Sequence, residues 1–216
     1  MPARRQTKQR VREARTEAYR SLILGAAEHV FGARGYAEAR VQEIAEEAGV
    51  ATGTVYAIFP SKEELYREVH RLNLGELARR YAEIPAAPDT RDVIRARTAA
   101  TTCFLTERPD YLRIYVREAA GWGFDVSALP RIAAEFVDLD LYRRGIARGE
   151  LVDEDPELLQ SLAMSASQLI LFHWLKSGMR ESAEELTRRI LAHTERTLFR
   201  TAATRRPPRD RAPKRR

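Results

Sequence analysis

The sequence has few of the residues from which disulfides and metal sites are built. Its 216 residues include one cysteine and four scattered histidines. A single cysteine cannot form an internal disulfide, and the histidines offer no spacing typical of a zinc or iron–sulfur site. We therefore expect neither a metal nor another cofactor, and the composition fits a reducing compartment.

Long hydrophobic runs are also scarce. The uncharged stretch from Ser21 to Ala27 is too short for the apolar region of a signal peptide. Residues 158–175 are uncharged and approach the length of a membrane span, but polar residues such as Gln160 and His173 interrupt them. We interpret this stretch as a buried helix and expect a soluble, cytoplasmic protein with no membrane partner.

Catalytic signatures are lacking as well. Asp138 and Asp140 fall on different faces of a predicted helix, and the acidic residues 153–155 lie at an exposed turn. Cys103 has no histidine close to it in sequence, and there is no glycine-rich phosphate loop. We predict no catalytic residue and no enzymatic activity.

What the sequence has instead is positive charge at its two ends. The net charge is +6, yet residues 1–20 carry seven Lys/Arg against two acidic residues, and residues 201–216 carry seven against one. The segment between them is therefore net negative. Short basic segments beside a folded body favour polyanions, although solubilising tails are the alternative interpretation. We expect a disordered basic arm at 1–14 and a disordered basic tail at 201–216.

Apolar residues recur at three- and four-residue spacing along the chain, which is typical of amphipathic helices. The pattern predicts an all-α protein of about nine helices, with four in an N-terminal unit and five in a C-terminal one. The predicted helices span about residues 15–33, 41–48, 52–59, 61–77, 90–106, 109–120, 127–148, 156–176 and 182–200.

Two of these helices are short and meet at Gly49, where glycine allows the backbone to turn. Short helices joined around a glycine are typical of a helix-turn-helix, whose second helix enters the DNA major groove. We expect Ile44 and Val50 to pack inside the turn and Phe59 to close the small core against the first helix.

The same region resembles the DNA-binding unit of the TetR family of transcriptional repressors. The resemblance rests on Gly35-Tyr36, on VQEIAEEAGV at 41–50, on GTVY at 53–56 and on FPSKEEL at 59–65. It implies a helix-turn-helix DNA-binding domain at 15–65 and a helical effector-binding and dimerisation domain at 66–200. It also implies a phosphate contact at Lys62 and DNA contacts at Thr52, Gly53, Thr54, Tyr56, Ala57 and Ile58.

The sequence departs from the family pattern at four positions. Ala51 stands where a serine N-cap is usual, Thr52 where lysine is frequent, Ile58 where an aromatic residue or histidine is common, and Arg40 at a usual threonine. Thr52 could take over the capping of the second short helix, and Arg40 could supply a phosphate contact.

The helix-turn-helix region is acidic. Residues 21–70 carry four Lys/Arg against eight glutamates. Because phosphate attraction supplies most non-specific affinity for DNA, this region needs positive charge from elsewhere. We hypothesise a basic arm that follows the DNA backbone or enters the adjacent minor groove, formed by Arg4, Arg5, Lys8, Arg10, Arg12 and Arg15.

Apolar residues on the last two predicted helices, at 158–174 and 186–199, cover more of each helix than one core stripe requires. Wide apolar faces suit a four-helix interface with a second copy of the chain, and burial within one monomer is the alternative. We predict a homodimer through these two helices, because a palindromic operator needs a two-fold protein.

The C-terminal helices are also expected to enclose an apolar pocket. Its candidate lining residues, each of which could instead belong to the core, are Cys103, Phe104, Tyr111, Tyr115, Trp122, Phe136, Met164 and Gln168. The predicted function is a repressor that binds double-stranded operator DNA and is released by a hydrophobic small-molecule effector of unknown identity. The alternative is a helical dimer whose basic tails bind nucleic acid without sequence preference.

Overall fold

The computed structural model describes residues 2–85, 89–120 and 138–199, without the side chains of residues 2–8 and 118–120. The all-α prediction is confirmed over these ranges, where the one β pairing is a bridge between Leu151 and Phe199. The described helices are α1 (Pro2–Arg34), α2 (Val41–Glu47), α3 (Thr52–Ile58), α4 (Lys62–Ala82), α5 (Thr90–Thr106), α6 (Pro109–Ala120), α7 (Leu139–Ala147), α8 (Pro156–Lys176) and α9 (Ala183–Leu198).

Side-chain caps begin several helices where the sequence predicts them. Ser61 Oγ accepts a hydrogen bond from the Glu64 amide at 3.0 Å, and Ser182 Oγ accepts one from the Glu185 amide at 3.2 Å. Asp155 accepts hydrogen bonds from two amides in the first turn of α8. These caps satisfy amides that no helical carbonyl can reach, which fixes the starts of α4, α8 and α9.

The first helix is much longer than predicted. It begins at Pro2 rather than near residue 15, so residues 2–14, expected as a disordered arm, are helical. The segment is rich in Arg, Gln and Ala, which favour helix, and it has no apolar period to reveal it. The Gln9 amide donates to Glu13 at 3.0 Å and supports the exposed helix locally.

The seventh helix is shorter at its start than predicted. Asp138 has a non-helical ψ of 70° and accepts a hydrogen bond from the Leu141 amide at 3.0 Å, so the helix begins at Leu139. A helix running unbroken from Ser127 is therefore incorrect. Residues 127–137 and the basic tail at 201–216 lie outside the described residues.

A single apolar core joins the helix-turn-helix region to the C-terminal helices. Ile23 and Phe31 of α1 are buried together with Leu65 of α4, Leu112 of α6 and Leu171 of α8. A smaller second cluster lies among α5, α7, α8 and α9. Because α1 belongs to the same core as α4 and α6, the helix-turn-helix is mounted directly on the body of the molecule.

The contact between α1 and α6 is especially close. A Cβ atom added to Gly32 would lie 2.7 Å from the backbone oxygen of Asp110, so only glycine fits there without displacing backbone. The Arg117 guanidinium donates to the carbonyls of Phe31 and Ala33, at 3.4 and 3.3 Å, near the C-terminal end of α1. Helix α6 therefore both abuts and caps α1.

Helix α8 is apolar on both sides. Leu159, Leu171 and Trp174 are buried. An opposite stripe of large apolar side chains is exposed, consisting of Leu158, Leu162, Leu169 and Phe172. Within the described ranges α8 is also the helix that has the length and hydropathy to cross a membrane. The prediction of a buried helix is thus confirmed for one face of α8, and the described residues leave its other face uncovered.

Candidate DNA-binding surface

Helices α2 and α3 form a helix-turn-helix. Gly49 has a φ of +67°, a left-handed conformation that favours glycine, as the sequence predicts. The amide of Val50 donates to the carbonyl of Ala45 at 2.9 Å and closes the turn. This turn sets the angle at which α3 leaves α2.

The predicted core beneath the turn is confirmed. Ile44, Val55 and Phe59 are buried, and Val50 is partly buried against the same cluster. These residues hold α3 on its inner side, so its outer side is free for other contacts. They carry a structural role, and their burial keeps them away from a DNA ligand.

The outer face of α3 consists of Gly53, Tyr56 and Ala57, which are exposed. Tyr56 is the largest of the three and is 48% exposed. Thr52, Thr54 and Ile58 are half-buried. The two threonines flank the exposed face, and Ile58 packs against the core. The six predicted contact residues of α3 are therefore not equivalent, and Ile58 is partly taken up by packing against the apolar core.

The N-terminal end of α3 has no side-chain cap. Ala51 is the capping residue, and its carbonyl accepts a hydrogen bond from the Thr54 amide at 2.8 Å. Thr52 is already the first helical residue, so the suggestion that Thr52 takes over the capping is wrong. Amides at this end remain available to an outside acceptor such as a phosphate oxygen.

Arg40 precedes α2 and is exposed. Its amide donates to the Glu43 carboxylate at 3.3 Å, and Glu43 also pairs with Arg34 at 3.2 Å. Arg40 is thus the N-cap residue of α2, beside amides that already favour an anion. The phosphate contact suggested for Arg40 stays a prediction.

Lys62 has a role that the sequence did not indicate. Its ammonium donates to the carbonyls of Tyr36, Ala37 and Ala39, at 2.8, 3.4 and 3.1 Å, and lies 4.5 Å from the centre of the Tyr36 ring. An ammonium has three N–H donors, so these three carbonyls accept all of its hydrogen bonds. Lys62 therefore fastens the loop between α1 and α2 to the start of α4.

The predicted pocket residues do not all lie together in the described part of the chain. Phe104 and Tyr111 are buried in the main core, with Tyr115 packed beside them. Cys103 is exposed, and its thiol donates a hydrogen bond to the Glu107 carboxylate, which raises the pKa of the thiol. On α8, Met164 is exposed and Gln168 is half-buried, and the remaining two candidates, Trp122 and Phe136, lie outside the described residues.

The sequence prediction missed a polar cluster between α4, α5 and α7. The Arg97 guanidinium donates to Asp138 at 2.8 Å, and the Tyr81 hydroxyl lies 2.6 Å from the Thr101 hydroxyl. Burial raises the pKa of the nearby Tyr142 to about 12. Arg97 and Thr101 are one helical turn apart, which was the available signal, but their partners are distant in sequence.

Comparison with known proteins supports this description. Residues 23–69 match the family model described as bacterial regulatory proteins, tetR family. The HTH-type transcriptional repressor KstR2 of Mycolicibacterium smegmatis is 28% identical over 185 residues, which cover 80% of this chain and 87% of that repressor. The match to the family model includes the whole helix-turn-helix.

Two solved structures share the fold of most of the chain. FadR from Bacillus subtilis, solved in complex with stearoyl-CoA, has a TM-score of 0.69 at 19% identity, covering 80% of this chain and 95% of that one. The ketosteroid transcriptional regulator KstR2 of Mycobacterium tuberculosis has a TM-score of 0.67 at 22% identity, covering 84% and 95%. The likeness therefore extends through the C-terminal helices.

Proposed function

Because the chain belongs to the TetR family of transcriptional regulators, we propose that it is a cytoplasmic repressor that binds a palindromic operator as a homodimer. A small apolar effector releases it from DNA. The observation that carries the proposal is the exposed face of Gly53, Tyr56 and Ala57 on a helix held from behind by a helix-turn-helix core. This face is what α3 can offer to a major groove.

Residues on this face and beside it have distinct chemical tasks. Gly53 lets the backbone approach base edges, and Thr54 offers a hydroxyl and a methyl group to them. The Tyr56 hydroxyl reaches a phosphate oxygen, and Arg40 contacts a second phosphate beside α2. Lys62 reaches a phosphate only if its ammonium gives up a carbonyl of the loop that it fastens.

The exposed apolar stripe of α8 supports the homodimer. A row of leucines and a phenylalanine in water is costly, and a second copy of the same stripe covers it with two-fold symmetry. Helix α9 contributes differently from the prediction, because Leu186, Ile190, Leu198 and Phe199 are buried within one chain. Its outer face is polar and forms the rim of the interface rather than its apolar centre.

The effector that we propose is a lipid-like molecule with one polar end. Of two proteins that share the fold, FadR was solved in complex with stearoyl-CoA, and KstR2 is described as a ketosteroid transcriptional regulator. In this chain the polar end would meet the cluster of Tyr81, Arg97 and Tyr142. Melting temperatures with stearate, stearoyl-CoA and a 3-ketosteroid test the idea: one of them should raise the value for the wild type and less so for Tyr142→Phe.

A footprint on DNA tests the proposed function. Duplexes are selected from a random-sequence library with the full chain, and the enriched sequence is footprinted with excess competitor DNA. A protected palindrome that Gly53→Val abolishes supports the proposal, with Gly25→Val on the outer side of α1 as the matched control. Uniform, salt-sensitive coating would instead establish non-specific binding by the basic ends.

A further inference from the structure

The first half of α1 extends beyond the protein core. Residues 9–18 are exposed without interruption, and the first buried side chain of the helix is Ile23. At a rise of 1.5 Å per residue, the extension from Pro2 to Ala18 is about 25 Å long. It is a continuous part of the same helix that packs against the body.

Charge is segregated around this extension. At about 100° per residue, positions 4, 5, 8, 12 and 15 fall within an arc of about 100°, and each is Arg or Lys. Glu13, Glu17 and Arg10 fall outside this arc. We call the five positions the basic face of α1; of these, Arg12 and Arg15 have described side chains, and both are exposed.

The extension leaves the protein beside the C-terminal end of α3. Arg20 lies over the ring of Phe59, 4.8 Å from its centre, and Phe59 is the residue that ends α3. Arg20 also bonds to Glu68 on α4, which fixes the direction of the helix at this point. The extension therefore starts next to the helix proposed to enter the groove.

The helix-turn-helix region has little positive charge of its own to offer. Arg34 pairs with Glu43, Arg67 pairs with Glu63 and Glu64, and Lys62 is held by loop carbonyls. Cations held by carboxylates or by carbonyls are less available to phosphates, so in the described part of the chain Arg40 and the extension of α1 supply most of the remaining positive charge beside the helix-turn-helix.

We propose that the basic face of α1 lies along the phosphate backbone that flanks each half-site, as a rigid helical contact. The proposal rests on the proposed function and adds a DNA segment outside the palindrome. A helix with its side chains is about 10 Å wide, whereas the minor groove is about 6 Å wide, so α1 stays on the backbone.

Salt dependence of binding to the selected operator tests the proposal. Arg12→Gln on the basic face should lower the slope of log K against log salt by about 0.9 per chain, or about 2 per dimer. Arg10→Gln removes the same charge two residues away, on the opposite side, and should leave the slope nearly unchanged. Equal effects of the two variants would overturn a one-sided contact.

Two further measurements address the flank and the helix. Trimming the duplex to the palindrome should weaken binding of the wild type and abolish its difference from Arg12→Gln. Ala14→Pro keeps every charge but breaks the extension, and it should match the loss seen with Arg12→Gln, whereas a flexible arm would tolerate it. If no operator is selected, the proposed function fails; if one is selected and its flank has no effect, only this inference fails.

Discussion

Glu68 connects the first helix to the fourth through two arginines. Its carboxylate is 9% exposed and accepts hydrogen bonds from Arg71 at 2.6 and 2.7 Å and from Arg20. The bonds from Arg71 and then from Arg20 lower the pKa of Glu68 to about 2. Because Arg20 also supports the ring of Phe59, this carboxylate helps to position the end of α3.

Replacing Glu68 by Gln should lower the free energy of unfolding at neutral pH by about 1–3 kcal/mol, since two arginines lose a charged partner. The folded-state pKa is below the ordinary value of 4.5, so the stabilisation is present above 4.5 and is lost as pH falls toward about 2. Urea unfolding across that range checks both points. Glu63→Gln, at an exposed pair, is the control and should cost less than about 0.5 kcal/mol.

His29 gives a second residue of α1 a pH-dependent contact. Its Nδ1 lies 3.0 Å from the Asp110 carboxylate of α6, and this hydrogen bond raises the pKa of His29 above 6.5. The stabilisation is therefore full below 6.5 and is lost as pH rises through the folded-state pKa.

The pair is exposed, so the expected effect is only about 0.2–1 kcal/mol. Wild type should exceed His29→Gln in unfolding free energy at acidic pH, and the two should converge at alkaline pH. A difference that grows as pH rises would contradict the assignment.

At the scale of helices, the packing of α1 on α6 depends on the absence of a side chain at Gly32. Gly32→Ala would place a Cβ against the backbone of Asp110, so we expect a loss of about 1–3 kcal/mol from displaced helices. Gly25→Ala lies in the same helix with no atom within 4 Å of its added Cβ, and it should stabilise by up to about 1 kcal/mol. Thermal and urea unfolding of the two variants give the comparison, and equal effects would refute it.

Helices were predictable from sequence where they carry a local signal. Ser61, Asp155 and Ser182 cap helices that also have apolar periodicity, so both existence and start are correct. The extension of α1 has no buried face, and Asp138 sits in a helix-like pattern. Apolar periodicity indicates a helix with a buried face. It cannot reveal a helix that is exposed on all sides or a break within a helix.

The candidate site was predictable in part for the same reason. The turn at Gly49 and the core residue Phe59 depend on local geometry and periodicity, and both predictions are confirmed. Lys62 bonds to carbonyls more than twenty residues earlier in the chain, and Arg97 bonds to Asp138. Partners so distant in sequence are decided by the tertiary fold, which no local pattern encodes.

At the scale of the whole molecule, the proposed dimer makes a simple prediction. Leu169 is 56% exposed at the middle of the α8 stripe, and Leu169→Glu should convert dimers to monomers because it buries two charges at a two-fold interface. Sedimentation velocity measures the mass. Leu22→Glu makes the same change at a leucine of α1 that is 55% exposed, and it should leave the dimer intact.

Operator binding should follow the oligomeric state. A monomer contacts one half-site, so Leu169→Glu should weaken binding to the palindrome by at least about tenfold, which corresponds to 1.4 kcal/mol. A Leu169→Glu variant that remains dimeric would show that α8 does not form the interface. A monomeric variant with unchanged affinity would show that operator binding does not need a dimer.

The close approach at Gly32 couples α6 rigidly to α1, and α1 supports the helix-turn-helix. Backbone meets backbone there, so no side chain can change rotamer to absorb a small movement of α6. The same helix holds the last carbonyls of α1 through Arg117. A tilt of α6 would therefore move α1 with it. The movement would reach the loop that Lys62 holds and then α2.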